Sequence, residues 1–303
     1  MRATVILVLA SLLAAGCLGG PSNPPAQQPS APAAPPPARN NTTTPTPPPS
    51  NATGNGTGNA TPGNATANMT APAPLPFTFD ATCREALALV PVEVAAVRGF
   101  VPPNFTLVGE QGGRVPVFFG LKECPSYSVD GGPPRAVMIS DVGALIDSPD
   151  GSEGSHYYQL WLVTNDSALW AQHAALGFVG GVAATTFSAS QPAPVPAPLA
   201  LGVSADIPWA NGTYGFDATI PSAAPTAPAA TFVGWHLGPE GLIRMPKDFT
   251  YTAYGAGSSD FRAAAGSPAA SLTGESAQGS ALYNEYAMTG RAQLAEGNAT
   301  MAR

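Results

Sequence analysis

The fold class is decided by two segments, Arg135-Ala-Val-Met-Ile-Ser-Asp-Val-Gly-Ala-Leu-Ile-Asp147 and His156-Tyr-Tyr-Gln-Leu-Trp-Leu-Val163. Both are rich in Val, Ile, Tyr and Trp, the residue types that favour strands. The stretch between them, Asp147-Ser-Pro-Asp-Gly-Ser-Glu-Gly154, consists largely of residues that favour turns. The pattern therefore predicts two strands joined by a turn.

Strand patterns continue on both sides of this pair. Residues 114–122 are predicted as a strand near an edge or a bulge, because Pro116 cannot donate a ladder hydrogen bond. Further strands are predicted at 178–188, 199–206, 231–236 and 242–252 and within the last 30 residues. Together they predict a single, mainly β domain over residues 77–303, a mainly antiparallel barrel or a sandwich.

Two short helices are predicted among the strands. Pro91 at the first position and Gly99 just past the end favour a helix between them. Asp166 or Ser167 can cap a second helix that runs to Leu176.

The segment before this domain has the composition of a linker. Between residues 18 and 76 there are 16 prolines, and the only charged residue is Arg39. Such a segment cannot bury enough apolar surface to offset the entropy of ordering it. Residues 17–76 are therefore predicted to be a disordered linker.

Residues 1–16 have the layout of an export signal, because Arg2 precedes about a dozen apolar residues and small residues lead into Cys17. The stretch Leu13-Ala-Ala-Gly-Cys17 resembles a prokaryotic lipoprotein box, in which the cysteine is lipidated. This resemblance implies a membrane partner through a lipid anchor at Cys17, with the protein on the extracellular face of the membrane. An ordinary signal peptide with an incidental cysteine is the alternative.

Asparagine occurs mostly in glycosylation sequons, which mark exposed positions in exported proteins. Together with the lipoprotein-like box, this density favours an archaeal cell surface, and a eukaryotic secreted protein is the alternative. The predicted glycosylation sites are Asn40, Asn41, Asn51, Asn55, Asn59, Asn64, Asn68, Asn104, Asn165, Asn211 and Asn298.

Two cysteines follow Cys17, namely Cys83 and Cys124. In an oxidising compartment an isolated pair is expected to form a disulfide. With three histidines and no further cysteine, no metal-site pattern is found. The formal net charge of −7 argues against nucleic acid as a partner, since nucleic acid is bound through clustered Lys and Arg.

Short motifs between Cys83 and Phe178 resemble the acetoacetate decarboxylase superfamily, and especially its exported, cysteine-bearing relatives. The motifs are Cys83-Arg84, Val101-Pro-Pro-Asn-Phe-Thr106, Lys122-Glu-Cys124, Val129-Asp-Gly-Gly-Pro133, Val142-Gly143, Pro149-Asp-Gly151, Tyr157-Tyr-Gln-Leu-Trp161 and Asn165-Asp-Ser-Ala-Leu169. The resemblance implies a cone-shaped antiparallel β-barrel around an interior cavity.

Decarboxylases of that family use a lysine amine that forms a Schiff base with a keto acid. The matching stretch here, Leu176-Gly-Phe-Val-Gly-Gly181, contains no lysine, and Gln159 lies near the position of a family carboxylate. Lys122 is next to Glu123, which predicts an exposed ion pair rather than catalysis. The resemblance thus implies a barrel without decarboxylase chemistry.

The predicted function is non-catalytic binding of a small molecule or a surface protein, with no cofactor. A cryptic lyase or hydrolase in the same cavity and a structural cell-envelope role are the alternatives. Aromatic residues can supply the apolar wall of a pocket and a few polar groups its specificity. The candidate pocket residues are Tyr158, Trp161, Arg135, His156, His236 and Arg244.

Overall fold

The computed structural model describes residues 75–190, 199–207, 212–221, 223–225 and 229–295. The strands in these ranges are β1 (Phe77–Glu93), β2 (Arg114–Val129), β3 (Arg135–Ile146), β4 (Ser155–Thr164), β5 (Gly180–Val182), β6 (Thr185–Ser190), β7 (Leu199–Ile207), β8 (Gly212–Ile220), β9 (Ala223–Pro225), β10 (Ala229–Gly238), β11 (Gly241–Ala263) and β12 (Ser276–Leu294). The helices are α1 (Val94–Arg98), α2 (Ser167–Ala175) and α3 (Pro268–Thr273).

Seven of the strands close into a barrel. Their order is β10-β4-β3-β2-β1-β12-β11, and the pairing of β11 with β10 completes the ring. Neighbours in the ring are antiparallel except for β10 and β4, which are parallel. The mainly β barrel predicted from the sequence is confirmed.

A second sheet layer grows out of β11. Residues 258–263 of this strand pair with β8, which is followed in the sheet by β7 and β6. Side chains on the outer face of the barrel, among them Val117, Phe119 and Trp161, pack with Phe216 of β8 in one hydrophobic core. The fold therefore combines a barrel with a sandwich-like outer layer.

A separate core fills one part of the barrel interior. It contains Phe77 and Phe79 from β1, Met245 from β11 and Met288 from β12, and Leu169 of α2 packs against them. These residues recur at every second position of their strands, because alternate side chains of a strand point to opposite faces. Whether a side chain points into the barrel therefore depends on whether it occupies an odd or an even position along its strand.

The predicted helix at Pro91 is shorter than expected. Pro91 and Val92 continue β1, opposite Pro116 and Val115 of β2, and the helix begins at Val94. The predicted helix start at Pro91 is wrong because burial of Val92 against β2 outweighs the local preference of proline for a helix start.

Pro116 lies in a strand that has neighbours on both sides. Its pairing with β3, however, begins only at Val117, so that Pro116 itself is paired only with β1. The residue opposite it is also a proline, and neither residue has an N–H to donate. The predicted strand is confirmed, but it is not an edge strand, because the missing donor is accommodated at the end of an interior strand, and the bulge of β2 against β3 lies further along, between Cys124 and Tyr127.

The second helix follows the prediction. The Asp166 side chain accepts a hydrogen bond of 2.6 Å from the Leu169 N–H and thereby caps α2. The predicted disulfide between Cys83 and Cys124 is confirmed, with the two Cα atoms 4.1 Å apart.

The predicted signal peptide, Cys17, the linker and the sequons Asn40, Asn41, Asn51, Asn55, Asn59, Asn64, Asn68, Asn211 and Asn298 lie outside the described residues. Asn104 and Asn165 are described, and both are exposed, as a glycan requires. Among the described residues, none of the helices has the length and apolar character to cross a membrane.

Candidate active site

A cluster of charged residues lies inside the barrel, and each member comes from a different strand. Glu85 is on β1, Lys122 on β2, Asp141 on β3 and Lys247 on β11. Each lies at an inward-facing position, two residues away from another inward side chain such as Cys83 or Met245. Closure of the barrel brings these positions together, although they span more than 160 residues of sequence.

Lys122 is the centre of this cluster. Only 7% of the residue is exposed, and its ammonium group donates a hydrogen bond to Asp141 Oδ2. Glu85 Oε1 is 3.3 Å from the same nitrogen. The two buried carboxylates hold Lys122 in its charged form.

The pKa values of these three groups follow from burial and from their mutual attraction. Burial disfavours the charged form of Lys122, but Asp141 and Glu85 outweigh it and raise the lysine's pKa. Burial raises the pKa of Glu85, although Lys122 opposes this shift. For Asp141 burial is outweighed by Lys122 and Lys247, which lower the pKa of its carboxyl.

Glycine at position 120 makes room for the carboxylates. A Cβ atom added to Gly120 would lie 2.7 Å from Asp141 Oδ1 and 3.0 Å from Glu85 Oε1. Both distances are shorter than a normal van der Waals contact. The absence of a side chain on β2 therefore allows two acidic groups to approach one lysine.

The pKa of Lys247 is shifted in the opposite direction from that of Lys122. The residue as a whole is partly exposed, but burial of its amine, reinforced by the neighbouring charge of Lys122, lowers its pKa to about 8. Asp141 and Glu85 oppose this shift without cancelling it. A larger fraction of this amine is therefore neutral near pH 7 than of an ordinary lysine.

Tyr157 is the hydrogen-bond partner of Lys247. The Lys247 Nζ donates to Tyr157 Oη at 2.6 Å, and Phe118 packs edge-on against the tyrosine ring at a centroid distance of 5.0 Å. Burial raises the pKa of Tyr157, so that it remains a phenol. Gly234 makes room for the hydroxyl, because a Cβ there would lie 2.8 Å from Oη.

The two lysines line a cavity of about 40 Å³. One water occupies roughly 10–15 Å³ of such space, so the cavity has room for about three waters or a ligand of a few heavy atoms. Asp141, Gln159 and His173 provide further polar groups. The apolar lining residues are Phe77, Phe79, Ile139, Leu162, Met245 and Met288, and Tyr127 completes the wall.

The candidate pocket residues from the sequence lie elsewhere. Trp161 belongs to the core on the outer face of the barrel. Tyr158 packs in the same core, with its ring centroid 4.9 Å from that of Phe105. His236 stacks on Phe178 at 4.1 Å. None of these three side chains lines the cavity that contains Lys122 and Lys247.

The other three candidates have polar partners of their own. Arg135 forms an ion pair of 2.8 Å with Asp166 at the start of α2. His156 accepts a hydrogen bond of 3.0 Å from the indole N–H of Trp235. Arg244 pairs with Asp150 at 2.9 Å, in the turn between β3 and β4.

The predicted exposed ion pair between Lys122 and Glu123 is wrong. Consecutive residues of a strand point to opposite faces, so that Lys122 enters the barrel while Glu123 faces outward. Glu123 pairs instead with Arg84, which lies directly opposite it on β1.

Lys247 was not among the predicted site residues, because it lies outside the segment that resembles the family motif, residues 176–181. The strand predicted at residues 242–252 contains the signal that could have identified it. Ile243, Met245, Lys247 and Phe249 occupy one face of that strand. A lysine on an otherwise apolar face indicates a buried amine.

Solved structures with the same architecture include the enduracididine biosynthesis enzyme MppR. Its complex with HEPES matches with a TM-score of 0.51 and 15% identity, over 75% of this chain and 90% of that chain. Its complex with pyruvate matches with the same TM-score and identity, over 75% of this chain and 93% of that chain. The chain shares the fold of MppR.

More distant structural neighbours include an acetoacetate decarboxylase from Legionella pneumophila. The TM-score is 0.46 at 11% identity, over 72% of this chain and 86% of that chain. No protein-family model and no curated protein matches the sequence.

Proposed function

We propose that the barrel binds a small carbonyl compound by forming a Schiff base with Lys247. The observation that carries this proposal is an amine with a lowered pKa at the wall of a cavity, hydrogen-bonded to a buried phenol. Lysines activated by burial and by a neighbouring cation are suited to nucleophilic attack on carbonyl groups. Of the three classes of function predicted from the sequence, these features favour the lyase-type site.

The reaction needs a neutral amine and a path for protons. The lone pair of Nζ attacks the carbonyl carbon, a C–N bond forms, and the carbonyl oxygen takes up a proton to give a carbinolamine. Loss of water and of the nitrogen's proton then yields the imine. Tyr157 is in place to exchange a proton with Nζ, since its hydroxyl is 2.6 Å away and remains protonated.

Lys122 cannot act as the nucleophile while it is held in its charged form. Its ammonium group is held between Asp141 and Glu85, and these carboxylates raise its pKa. A permanently charged amine has no lone pair for attack. Lys122 instead contributes its charge, which favours the neutral form of Lys247.

MppR adds support by analogy. It has been solved with pyruvate and with the condensation product of pyruvate and imidazole 4-carboxaldehyde. At 15% identity this likeness shows the fold alone. It is nevertheless consistent with carbonyl chemistry in a barrel of this architecture.

The test is chemical trapping on the full-length protein. Incubation with propanal and cyanoborohydride should add one propyl group to a side chain, and peptide mass mapping should place it on Lys247. Lys122 and Lys247 are the only lysines, so peptide mapping distinguishes them from each other and from the N-terminal α-amine, which also reacts. Lys247→Met should leave no adduct on a side chain, whereas an adduct that maps to Lys122 in the wild type or in this variant would refute the proposal.

A second candidate is non-covalent binding of a small molecule without turnover, as predicted from the sequence. The small volume of the cavity favours it, because about 40 Å³ leaves little space for two reactants. A thermal-shift screen of the full chain against a metabolite library distinguishes the two candidates. A stabilising ligand whose effect is unchanged in Lys247→Met would support binding without a Schiff base.

We also propose that the protein is a glycosylated surface lipoprotein anchored through Cys17. The support is the lipoprotein-like box, the sequon density and the disulfide, which fits an oxidising compartment. The proline-rich linker would hold the barrel away from the membrane, where it can meet small molecules or surface proteins from outside the cell.

A further inference from the structure

We infer that the carbonyl compound that binds to Lys247 is uncharged, an aldehyde, ketone or oxo amide rather than an oxo acid. This inference rests on the proposed Schiff base and adds the substrate class. It follows from the charges that surround the cavity, which offer an anionic ligand no free cation.

The cations of the lining are already neutralised. Lys122 is bound by Asp141 and faces Glu85, and Lys247 is the amine that reacts. No arginine occurs among the described residues that line the cavity. A substrate carboxylate would therefore enter without the bidentate partner that usually recognises it.

The nearby arginine side chains form ion pairs outside the cavity. Arg84 pairs with Glu123 on the outer face of β1 and β2, and Arg135 pairs with Asp166 at the start of α2. The remaining basic group of the lining, His173, donates its Nδ1–H to the Leu169 carbonyl at 2.9 Å. Burial lowers its pKa to about 4, so the imidazole is neutral at physiological pH.

The carboxylate that lines the cavity disfavours an acid. This carboxylate belongs to Asp141, which is 3% exposed. A negative charge on the ligand would lie next to the negative charge of Asp141, and an aldehyde, a ketone or an oxo amide avoids this repulsion.

The rest of the cavity suits a short apolar substituent. Phe79, Met245 and Met288 form one side of it, and the volume limits the ligand to a few heavy atoms. Methyl or ethyl groups on the carbonyl carbon fit this wall better than a second polar group.

Pyruvamide and pyruvate are a matched pair of probes, because they have the same number of heavy atoms and differ by one negative charge. Each is incubated with the full-length protein and cyanoborohydride, and the rate of adduct formation at Lys247 is measured by mass spectrometry. Each rate is divided by the rate of the same probe with free Nα-acetyl-lysine, which removes intrinsic reactivity. We expect a normalised rate at least tenfold higher for pyruvamide.

Asp141→Asn is the matched variant, since it keeps the shape of the side chain and removes one negative charge. It should reduce the preference for pyruvamide severalfold. In the wild type, a normalised rate for pyruvate equal to or above that of pyruvamide would overturn the inference and leave the Schiff base intact. Absence of both adducts would overturn the Schiff base itself, and the substrate class with it.

Discussion

Replacing Lys247 by methionine should stabilise the protein at neutral pH. Methionine is similar in length and carries no charge, so the substitution removes the cost of a buried ammonium group without opening a cavity. A gain in stability on removing a site residue is the pattern expected where function requires an unfavourable charge.

The size of the effect follows from the pKa of Lys247. A lowering from the usual 10.5 to about 8 corresponds to a cost of about 3 kcal/mol, at ~1.4 kcal/mol for each tenfold change in proton affinity. Loss of the hydrogen bond to Tyr157 offsets about 1 kcal/mol of this gain. We expect a net stabilisation of about 2 kcal/mol and a rise in Tm of about 4–8 °C.

The pKa of Lys247 also determines how the stability difference between the wild type and Lys247→Met depends on pH. Between pH 8 and 10.5 the unfolded state binds more protons at this lysine than the folded state, so the wild type gains stability relative to the variant as the pH rises. Below pH 8 the full cost is present. The advantage of Lys247→Met should therefore be constant below pH 8 and fall above it, and towards pH 10.5 the variant should become less stable than the wild type by about 1 kcal/mol, because only the lost hydrogen bond to Tyr157 then remains.

Urea unfolding of both proteins between pH 6 and 10.5 measures this difference, and Lys122→Met is the matched control. Removing Lys122 leaves Asp141 and Glu85 buried without their cation, and should cost about 3–5 kcal/mol. The two lysines are thus expected to give effects of opposite sign. If Lys247→Met is destabilising by 1 kcal/mol or more at pH 7, the amine does not bear the burial cost inferred for it.

Three further substitutions test other parts of the structure. Cys83→Ser should cost about 4 kcal/mol in urea unfolding because the disulfide closes a loop of 41 residues, and equal stability of wild type and variant would contradict this. Gly120→Ala should destabilise the protein by about 1–3 kcal/mol, since its Cβ would displace Asp141, and it should speed trapping at Lys247, because Asp141 opposes the lowering of that lysine's pKa; an unchanged trapping rate would contradict this electrostatic role. Cys17→Ser should release the protein from the membrane fraction of cells without changing its Tm, and a variant that stays membrane-bound would indicate an uncleaved signal anchor.

Much of the architecture could be predicted from local sequence. The strands at 135–147 and 156–163 and the helix capped by Asp166 were identified because β-branched and aromatic runs and capping residues act within a few positions. The disulfide followed from the number of cysteines. The predicted start of the first helix at Pro91 was wrong because pairing of Pro91 with Pro116 of β2, 25 residues away in sequence, makes this residue part of β1.

The candidate site was not predicted in the same way. Its charged members come from four strands, and only the closure of β10 onto β11 and β4 brings those strands around one cavity. Lys122 was misjudged because adjacency to Glu123 was given more weight than strand alternation. Lys247 was overlooked because a motif was expected at a fixed place in the chain.

The sequence by itself determined the class of fold, the disulfide and the alternation that assigns each strand residue to a face, since these depend on composition and on short-range periodicity. Tertiary structure alone decided that Lys122 and Lys247 share one buried environment with Asp141 and Glu85. The reason is physical: a pKa depends on the burial of a group and on charges within a few ångströms of it. Those distances are set by the closed barrel and are not encoded in sequence separation.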